Sequence, residues 1–299
     1  MNVAAELLVP ASETVHRAEV AEADLAVTRI RPAAGWQPVN VRELWQYREL
    51  LYFLIWRDVK VRYKQTALGA LWALLQPLMM MVVFTIFFSR IAGVDSGNLP
   101  YSVFAYLGLL PWTFFATAIS NAGNSVVGSE RLITKIYFPR LAVPFASVGA
   151  SIVDFCIACS MVVVLMAWHH VRPGPALLVA PLIFLAIMIM ALGVGTLLAA
   201  LNVSYRDFRY VIPFLVQVWM FATPSVYMNV AKGNTSGGAL KAVLALNPMT
   251  GLIAAFRAAC SGGAVPWGQF AVSSAVAVLV FFVGCLYFRR TERNFADII

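Results

Sequence analysis

The stretch ALLVAPLIFLAIMIMALGVGTLLAA, residues 176–200, contains no Asp, Glu, Lys, Arg or His. About 20 mostly apolar residues in a helix are enough to cross the hydrocarbon core of a bilayer. The chain as a whole has the same character, because 61% of its residues are hydrophobic and 12% are charged. Soluble domains have about 45–50% apolar and about 25% charged residues. We therefore predict that lipid is the solvent for most of this chain.

Six segments satisfy the length criterion for a membrane span. They are residues 69–91, 101–122, 141–168, 176–200, 211–229 and 269–288. Several contain proline, which helices in a membrane bundle tolerate because neighbouring groups satisfy the freed backbone. A seventh apolar stretch, 239–260, is interrupted by Asn247 and Pro248 and is predicted to be a re-entrant pair of short helices. The predicted fold class is an all-α membrane protein with six transmembrane helices.

Basic residues predict the orientation of these helices. Beyond residue 40, fourteen Lys and Arg fall on one side of the predicted spans and five on the other. Loops rich in Lys and Arg stay in the cytoplasm, so both termini are predicted to be cytoplasmic and the re-entrant element to be outside. The net charge of +8 then indicates an anionic membrane surface rather than nucleic acid. Residues 1–40 carry five acidic residues and do not fit a signal peptide, so we predict a mobile, acidic cytoplasmic tail.

The segment before the first span is predicted to be an amphipathic helix in the membrane interface. Residues 42–58 read RELWQYRELLYFLIWRD, with apolar residues near helical spacing. The rings of Trp45, Tyr52 and Trp56 favour the headgroup zone. Arg57 begins a basic run that ends at Lys64 and faces the anionic inner leaflet.

Sequence motifs for catalysis are absent. The chain has no GxxxxGK[ST] phosphate loop, no HExxH and no GxSxG, so it is predicted neither to hold ATP nor to be an enzyme. His169 and His170 end a span beside a basic loop and are interpreted as interface anchors, so no metal site is predicted. Cys156 and Cys159 lie in an apolar run and are interpreted as packing residues.

Asp154 is the one acidic residue deep in a predicted span. A carboxylate inside a membrane is costly, which makes it a candidate functional residue. One interpretation is a proton or cation relay. The other is a carboxylate that is hydrogen-bonded to serines such as Ser151 or faces a hydrated cavity at a subunit contact. We favour the second, since no other predicted span offers a charged companion at mid-depth.

Aromatic side chains recur along three predicted spans, in the first of them one helical turn apart. Aromatic faces stack against sugar rings and tolerate sliding, which would suit a polymer channel. Ordinary packing or a headgroup belt is the alternative for any single ring. The candidate channel-lining residues are Trp72, Gln76, Phe84, Trp112, Phe115, Trp219 and Tyr227.

Two short inner loops combine basic, acidic and aromatic residues. Such a mixture favours docking of a cytoplasmic partner, and a simple positive-inside signal explains it equally well. The candidate docking residues are Ser129, Glu130, Arg131, Lys135, Tyr205, Arg206 and Asp207.

Four stretches are informative as an ordered set. They are RDVKVRYKQTALGALWALLQPL (57–78), LITKIYFPRLAVP (132–144), NVSYRDFRYVIP (202–213) and LNPMTGLIAAFR (246–257). Together they resemble the permease subunits of type-2 ABC exporters of polysaccharides, a family that exports O-antigen, capsule and teichoic acid chains. The resemblance covers residues 41–299.

The resemblance implies a transporter in the bacterial inner membrane that exports a lipid-linked polysaccharide. It implies a homodimer, with the glycan in a channel between the two permeases, and two ATPase subunits that hold ATP and magnesium. By the match, residues 42–58 form the interface helix and residues 129–135 couple to the ATPase, with a supporting contact from 205–209. Residues 239–260 would gate the outer exit, with Asn247 and Pro248 at their junction.

Two alternatives stay open. A type-2 ABC permease for a drug or a non-glycan lipid would share the coupling loops, and neighbouring glycosyltransferase genes would distinguish it from a glycan exporter. An ion-coupled secondary transporter that uses Asp154 would work without ATP, and its pH profile would disappear in Asp154→Asn.

Overall fold

The computed structural model describes residues 41–64, 66, 68–91, 99–223, 226 and 247–295. Within these residues every regular element is helical. The predicted tail, residues 1–40, lies outside them. The helices are α1 Val41–Gln46, α2 Arg48–Tyr63, α3 Leu71–Phe84, α4 Tyr101–Gly128, α5 Glu130–Lys135, α6 Ala142–Trp168, α7 Ala180–Ser204, α8 Phe208–Phe221, α9 Pro248–Ser261 and α10 Trp267–Thr291.

Three short elements extend these helices. A π-helical segment, Thr85–Ile91, continues α3. A 3₁₀ turn, Pro175–Val179, leads into α7, and another, Glu292–Asn294, follows α10. With these extensions, five helices of the described chain are long and apolar enough to cross a membrane: Leu71–Ile91, Tyr101–Gly128, Ala142–Trp168, Pro175–Ser204 and Trp267–Thr291. The protein is therefore an all-α, multi-pass membrane protein.

The predicted fifth span, residues 211–229, is described only in part. Its helix α8 begins at Phe208 and ends at Phe221, so it is an apolar helix of 14 residues. Residues 224, 225 and 227–229 lie outside the described part of the chain, and the count of six spans stays a prediction.

Helix α9 corresponds to the second half of the predicted re-entrant element. The Asn247 side chain caps it by accepting a hydrogen bond of 3.1 Å from the Met249 backbone N–H. Pro248 occupies the first turn, where a missing N–H costs nothing. Gly262 ends the helix in the left-handed conformation with φ of 76°. Residues 239–246 lie outside the described chain, so the helix pair stays a prediction.

Helix α4 lies at the centre of the bundle. Residues from Val103 to Phe115 are buried almost without interruption, and α4 packs against α6, α7, α8 and α9. A second hydrophobic cluster joins helix ends at the predicted cytoplasmic side. Among its buried members are Leu54, Ile133, Phe288 and Phe295. The two clusters position the interface helix and the inner loops relative to the spans.

Small residues bring three spans into close contact. A Cβ on Gly193 of α7 would lie 2.6 Å from the Phe281 Cα of α10, and a Cβ on Gly284 would overlap the Gly193 carbonyl. On the other side of α7, a Cβ on Gly195 would lie 2.7 Å from the Ala122 Cβ of α4. Glycine permits this close packing, which is typical of membrane helices.

The predicted interface helix is divided and longer than predicted. Helix α1 precedes α2, and α2 continues to Tyr63, beyond the predicted end at residue 58. Trp45, Tyr52 and Trp56 are exposed, whereas Leu54 is buried. Helix α2 packs against α6, where Gly149 leaves room for the Ile55 side chain. Its place in the membrane interface stays a prediction.

Candidate functional site

Six of the seven predicted docking residues lie on two exposed segments, whereas Ser129 is buried. Glu130, Arg131 and Lys135 are exposed on the short helix α5. Tyr205, Arg206 and Asp207 are exposed in the turn between α7 and α8. We call α5 together with residues 205–207 the coupling surface. Its contact with a partner stays a prediction.

Helix α5 is anchored to the interface helix. Ser129, which precedes α5, is buried and accepts a hydrogen bond of 3.4 Å from Arg57 Nη2. Arg57 also forms an ion pair with Asp58 at 2.9 Å, and Asp58 accepts a hydrogen bond of 3.3 Å from Ser147 of α6. Ile133 of α5 is buried in the same cluster as Leu54 of α2. A displacement of α5 would therefore reach α2 and α6 through direct contacts.

Asp154 has partners that the sequence analysis did not identify. Its carboxylate accepts hydrogen bonds from the Arg62 guanidinium and from the Tyr63 hydroxyl. Ser151 instead donates to the Ser147 carbonyl at 3.1 Å, so the expected serine bond to Asp154 is not formed. The charged companion comes from the end of the interface helix rather than from another span. The Asp154 carboxylate is therefore bonded to one guanidinium and one hydroxyl group, both from the end of α2.

Burial of the end of α2 shifts the pKa of both residues that hydrogen-bond to Asp154. Burial lowers the pKa of the Arg62 guanidinium from its ordinary value, and the neighbouring Tyr63 and Asp58 act against that change. Burial raises the pKa of the Tyr63 hydroxyl, which Arg62 partly offsets. Both directions result from lost hydration of the charged form. The tyrosine therefore stays a neutral hydrogen-bond donor near neutral pH.

These groups line a cavity of about 320 Å³. Its walls are the middle parts of α4 and α6, the end of α2 and the first turns of α3. We call it the inner cavity, because the last two lie on the predicted cytoplasmic side. Its polar or aromatic lining residues include Arg62, Tyr63, Trp72, Gln76, Thr113, Thr117, Asn121, Ser151 and Asp154. Two of the predicted channel-lining residues, Trp72 and Gln76, thus share one cavity with Asp154.

The other predicted channel-lining residues have different surroundings. Phe84, Trp112 and Phe115 are buried within the core of the chain itself. Trp219 packs its ring edge-on against Phe115 at 5.1 Å between centroids. Tyr227 lies outside the described residues. Contact with a cargo stays a prediction for this set, and in the described conformation the three buried rings contact neighbouring helices of the same chain.

Asn247, one of the predicted outer-gate residues, connects α8 to α9. Its carboxamide donates to the Ala222 carbonyl at 3.0 Å and to the Thr223 hydroxyl at 2.8 Å. It also accepts from the Trp219 indole N–H at 3.2 Å. Together with the cap on Met249, these bonds fix the chain direction where α9 begins. The gating role of Asn247 and Pro248 stays a prediction.

Arg257 was counted among the outer loop charges, but the structure buries it in the bundle. Its Nε donates to the Phe104 carbonyl at 3.1 Å, and Nη2 donates to the Val226 carbonyl at 3.3 Å. The guanidinium lies 3.7 Å from the centre of the Phe104 ring. A Cβ at Gly108 would overlap the guanidinium and would lie 2.5 Å from the Val226 oxygen. The sequence signal was a single arginine within the apolar run of α9.

Three cysteines line a second, apolar cavity of about 650 Å³ between α6, α7 and α9. They are Cys156, Cys159 and Cys260, and Phe155 and Phe184 stack nearby at 4.0 Å between ring centroids. Among the described residues no group of three or more His, Cys, Asp or Glu is arranged to hold a metal ion.

Residues 49–260, from α2 to the end of α9, match the family model for ABC-2 type transporters. This match covers more than half of the chain. The chain belongs to the ABC-2 type transporter family. Most of α2, the coupling surface, the inner cavity and Arg257 therefore lie within the region that this transporter family shares, whereas α1 precedes it.

The curated proteins to which the chain is similar include O-antigen export system permease proteins named RfbA. The RfbA of Myxococcus xanthus is 30% identical over 260 residues, which cover 87% of this chain and 98% of that protein. Two RfbA proteins of Klebsiella pneumoniae are 25% and 23% identical over 252 residues, 84% of this chain and 95% of each relative. The chain is thus similar to these permeases along nearly their whole length.

Proposed function

We propose that this chain is the membrane-spanning subunit of an ATP-driven exporter that moves a lipid-linked polysaccharide across a bacterial inner membrane. The observation that carries the proposal is similarity to three O-antigen export permeases over 95% or more of their length. Five helices of the described chain are long and apolar enough to cross a membrane, which supports the proposal.

A separate ATPase subunit would supply the energy in this proposal. The sequence has no phosphate-binding loop, so ATP and magnesium would be held by the partner. A ligand shifts a conformational equilibrium only when it binds one state better than the other. ATP would bind the closed state of an ATPase dimer better, and the coupling surface would receive the resulting motion. The anchoring of α5 through Ser129 and Ile133 supports this role.

A second copy of the chain would complete the transport path. Helix α3 and its extension are the least buried of the five candidate spans of the described chain. Exposed apolar side chains of this span outside the inner cavity include Val83, Ile86 and Phe87. Such a face suits contact with lipid or with the same face of a partner. We propose that both termini are cytoplasmic, because the basic residues favour that orientation.

Co-purification tests the ATPase partnership directly. The protein would be tagged in its native host, extracted in mild detergent and examined for associated proteins and ATP hydrolysis. We expect an ATPase subunit in equal amount, with hydrolysis that increases when lipid-linked glycan is added. A pure, stable permease without an ATPase would refute the proposal.

A charge exchange on α5 tests the coupling surface. The variant Glu130→Arg with Arg131→Glu keeps the net charge but reverses two exposed charges, so ATPase recovery and export should fall while the amount of permease stays constant. The matched control is Arg48→Glu with Glu49→Arg, an adjacent exposed pair on α2 that is outside the coupling surface. Unchanged export in the α5 variant would contradict the assignment.

A further inference from the structure

The inner cavity combines three chemical features in one chain. Trp72 contributes an indole that is 54% exposed, although it belongs to the cavity wall. Gln76 and Asn121 contribute carboxamides from α3 and α4. Arg62 and Asp154 contribute an ion pair that extends from α2 to α6. Together these features provide a flat apolar face, hydrogen-bond donors and hydrogen-bond acceptors.

The charge of the cavity favours a neutral ligand. Among its lining residues one is cationic and one is anionic, and these two, Arg62 and Asp154, neutralise each other. A phosphate group would have to compete with the Asp154 carboxylate for the same guanidinium. A hydroxyl group needs no such displacement, because it can accept from a remaining Arg62 N–H and donate to a carboxylate lone pair.

The carboxamides of Gln76 and Asn121 are available to hydrogen-bond with a ligand. Within the described chain, neither the Gln76 nor the Asn121 side chain forms a hydrogen bond with another residue. Each carboxamide carries two donors and one acceptor oxygen. Thr113 uses its hydroxyl proton on the Leu109 carbonyl at 2.7 Å, so its oxygen can still accept a hydrogen bond. A ligand with several hydroxyl groups would satisfy these atoms.

We propose that the inner cavity binds a neutral sugar ring of the exported chain as it enters from the cytoplasmic side. The ring would stack its C–H face on Trp72, and its hydroxyl groups would hydrogen-bond to Gln76, Asn121 and the Arg62–Asp154 pair. The volume of about 320 Å³ lies at the lower end of ligand pockets, about 300–1,000 Å³, so the site suits a short segment of the chain. This inference rests on the proposed function and assigns to Asp154 a binding role.

Photo-crosslinking in the native host tests the site with the cell's own glycan. We would replace Gln76 by p-benzoylphenylalanine, illuminate the cells, purify the tagged permease under denaturing conditions and detect the host polysaccharide on the permease band. We expect a glycan-bearing adduct. The matched control carries the same probe at Leu71, which is exposed on the same helix but does not line the cavity, and should yield none.

A second probe position covers the case in which the Gln76 variant does not fold. The probe at Thr117 would approach the cavity from α4 and should give the same adduct. Trp72→Ala should reduce either adduct several-fold at unchanged protein level, whereas Trp72→Phe should retain it because a flat ring is still present.

The outcomes separate this inference from the proposed function. If surface polysaccharide depends on the gene but neither probe position carries glycan, the sugar site is overturned and the exporter assignment survives. A phospholipid adduct without sugar at Gln76 would also overturn the sugar site. If deletion of the gene leaves the surface polysaccharide unchanged, the proposed function fails, and the sugar site fails with it.

Discussion

Arg257 should hold helix α9 against the centre of the bundle. We expect Arg257→Ala to increase the opening of α9 because it removes two hydrogen bonds and a ring contact at once. The change leaves the carbonyls of Phe104 and Val226 without this donor. Arg257→Lys keeps the charge but loses the planar fork, so its effect should be intermediate.

The size of the effect follows from the contacts. Hydrogen bonds from a charged group contribute about 1.5–3 kcal/mol each, so two of them contribute at least about 3 kcal/mol. The cation–π contact adds up to about 2 kcal/mol when desolvated. Recovered hydration of the buried guanidinium offsets part of this sum. A net loss of about 3 kcal/mol corresponds to roughly a 100-fold increase in the open population, since about 1.4 kcal/mol is tenfold.

Cys260 provides a natural reporter one turn further along α9. It is 5% exposed, so its reaction with a maleimide in detergent should follow local opening. We would replace Cys156, Cys159 and Cys285 by alanine and compare labelling rates. We expect the labelling rate of Cys260 to increase about 100-fold in Arg257→Ala, which corresponds to a loss of about 3 kcal/mol. A second reporter with Cys285 alone, fully buried near the opposite helix ends, should stay protected if only α9 opens.

Gly108→Ala is the matched perturbation from the opposite side. Its Cβ would overlap the guanidinium, so Cys260 labelling should rise although Arg257 is retained. Unchanged Cys260 labelling in both variants would refute the reasoning and would mean that apolar contacts alone hold α9. Equal exposure of Cys285 would also refute it, because the loss would then be global.

Three further predictions use contrasts between buried and exposed residues. Phe295→Ala should destabilise the protein by about 3–5 kcal/mol, because Phe295 is fully buried; its melting temperature in detergent should fall, whereas that of the exposed Phe282→Ala should hardly change. Trp72→Ala should slow export without lowering the amount of protein, whereas Phe115→Ala should lower the amount of protein. If Trp72→Ala lowered export and protein amount equally, Trp72 would serve helix packing rather than contact with the cargo. Asp154→Asn should slow transport but keep its ATP requirement and the shape of its pH profile, and a profile that disappears would support a proton relay instead.

The positions of the long apolar helices were predictable because the bilayer sets the length of an apolar helix. The predicted span 141–168 corresponds to Ala142–Trp168, and 176–200 lies within Pro175–Ser204. The π-helical segment after α3 and the division of the interface helix were not predictable in this way. They depend on local backbone geometry that hydropathy does not report.

Helix faces were harder to predict than helix ends. Trp72 and Phe115 were grouped as one lining, yet Trp72 is 54% exposed and Phe115 is fully buried. In water a polar face identifies the exposed side of a helix, but in lipid both sides are apolar. Spacing along a helix therefore shows which residues share a side, and tertiary packing decides which side is covered.

Long-range partners were beyond the sequence pattern. Arg62 and Asp154 are 92 residues apart, and Arg257 and Phe104 are 153 residues apart. Each pair joins a charged group that looked isolated in its own segment to a group from another helix. The cost of an unpaired charge in lipid predicts that a partner exists, but a single sequence does not identify it.

The close approach of α4, α7 and α10 constrains how these three helices can move relative to one another. Where the backbones of α7 and α10 meet at Gly193 and Gly284, sliding one helix past the other would drive carbonyl and Cα atoms together, and at Gly195 the backbone of α7 lies against the Ala122 side chain of α4. These three helices should therefore move together as one rigid group. A displacement of α5 would therefore move the interface helix, which α5 contacts, and α3, which is the least buried candidate span of the described chain.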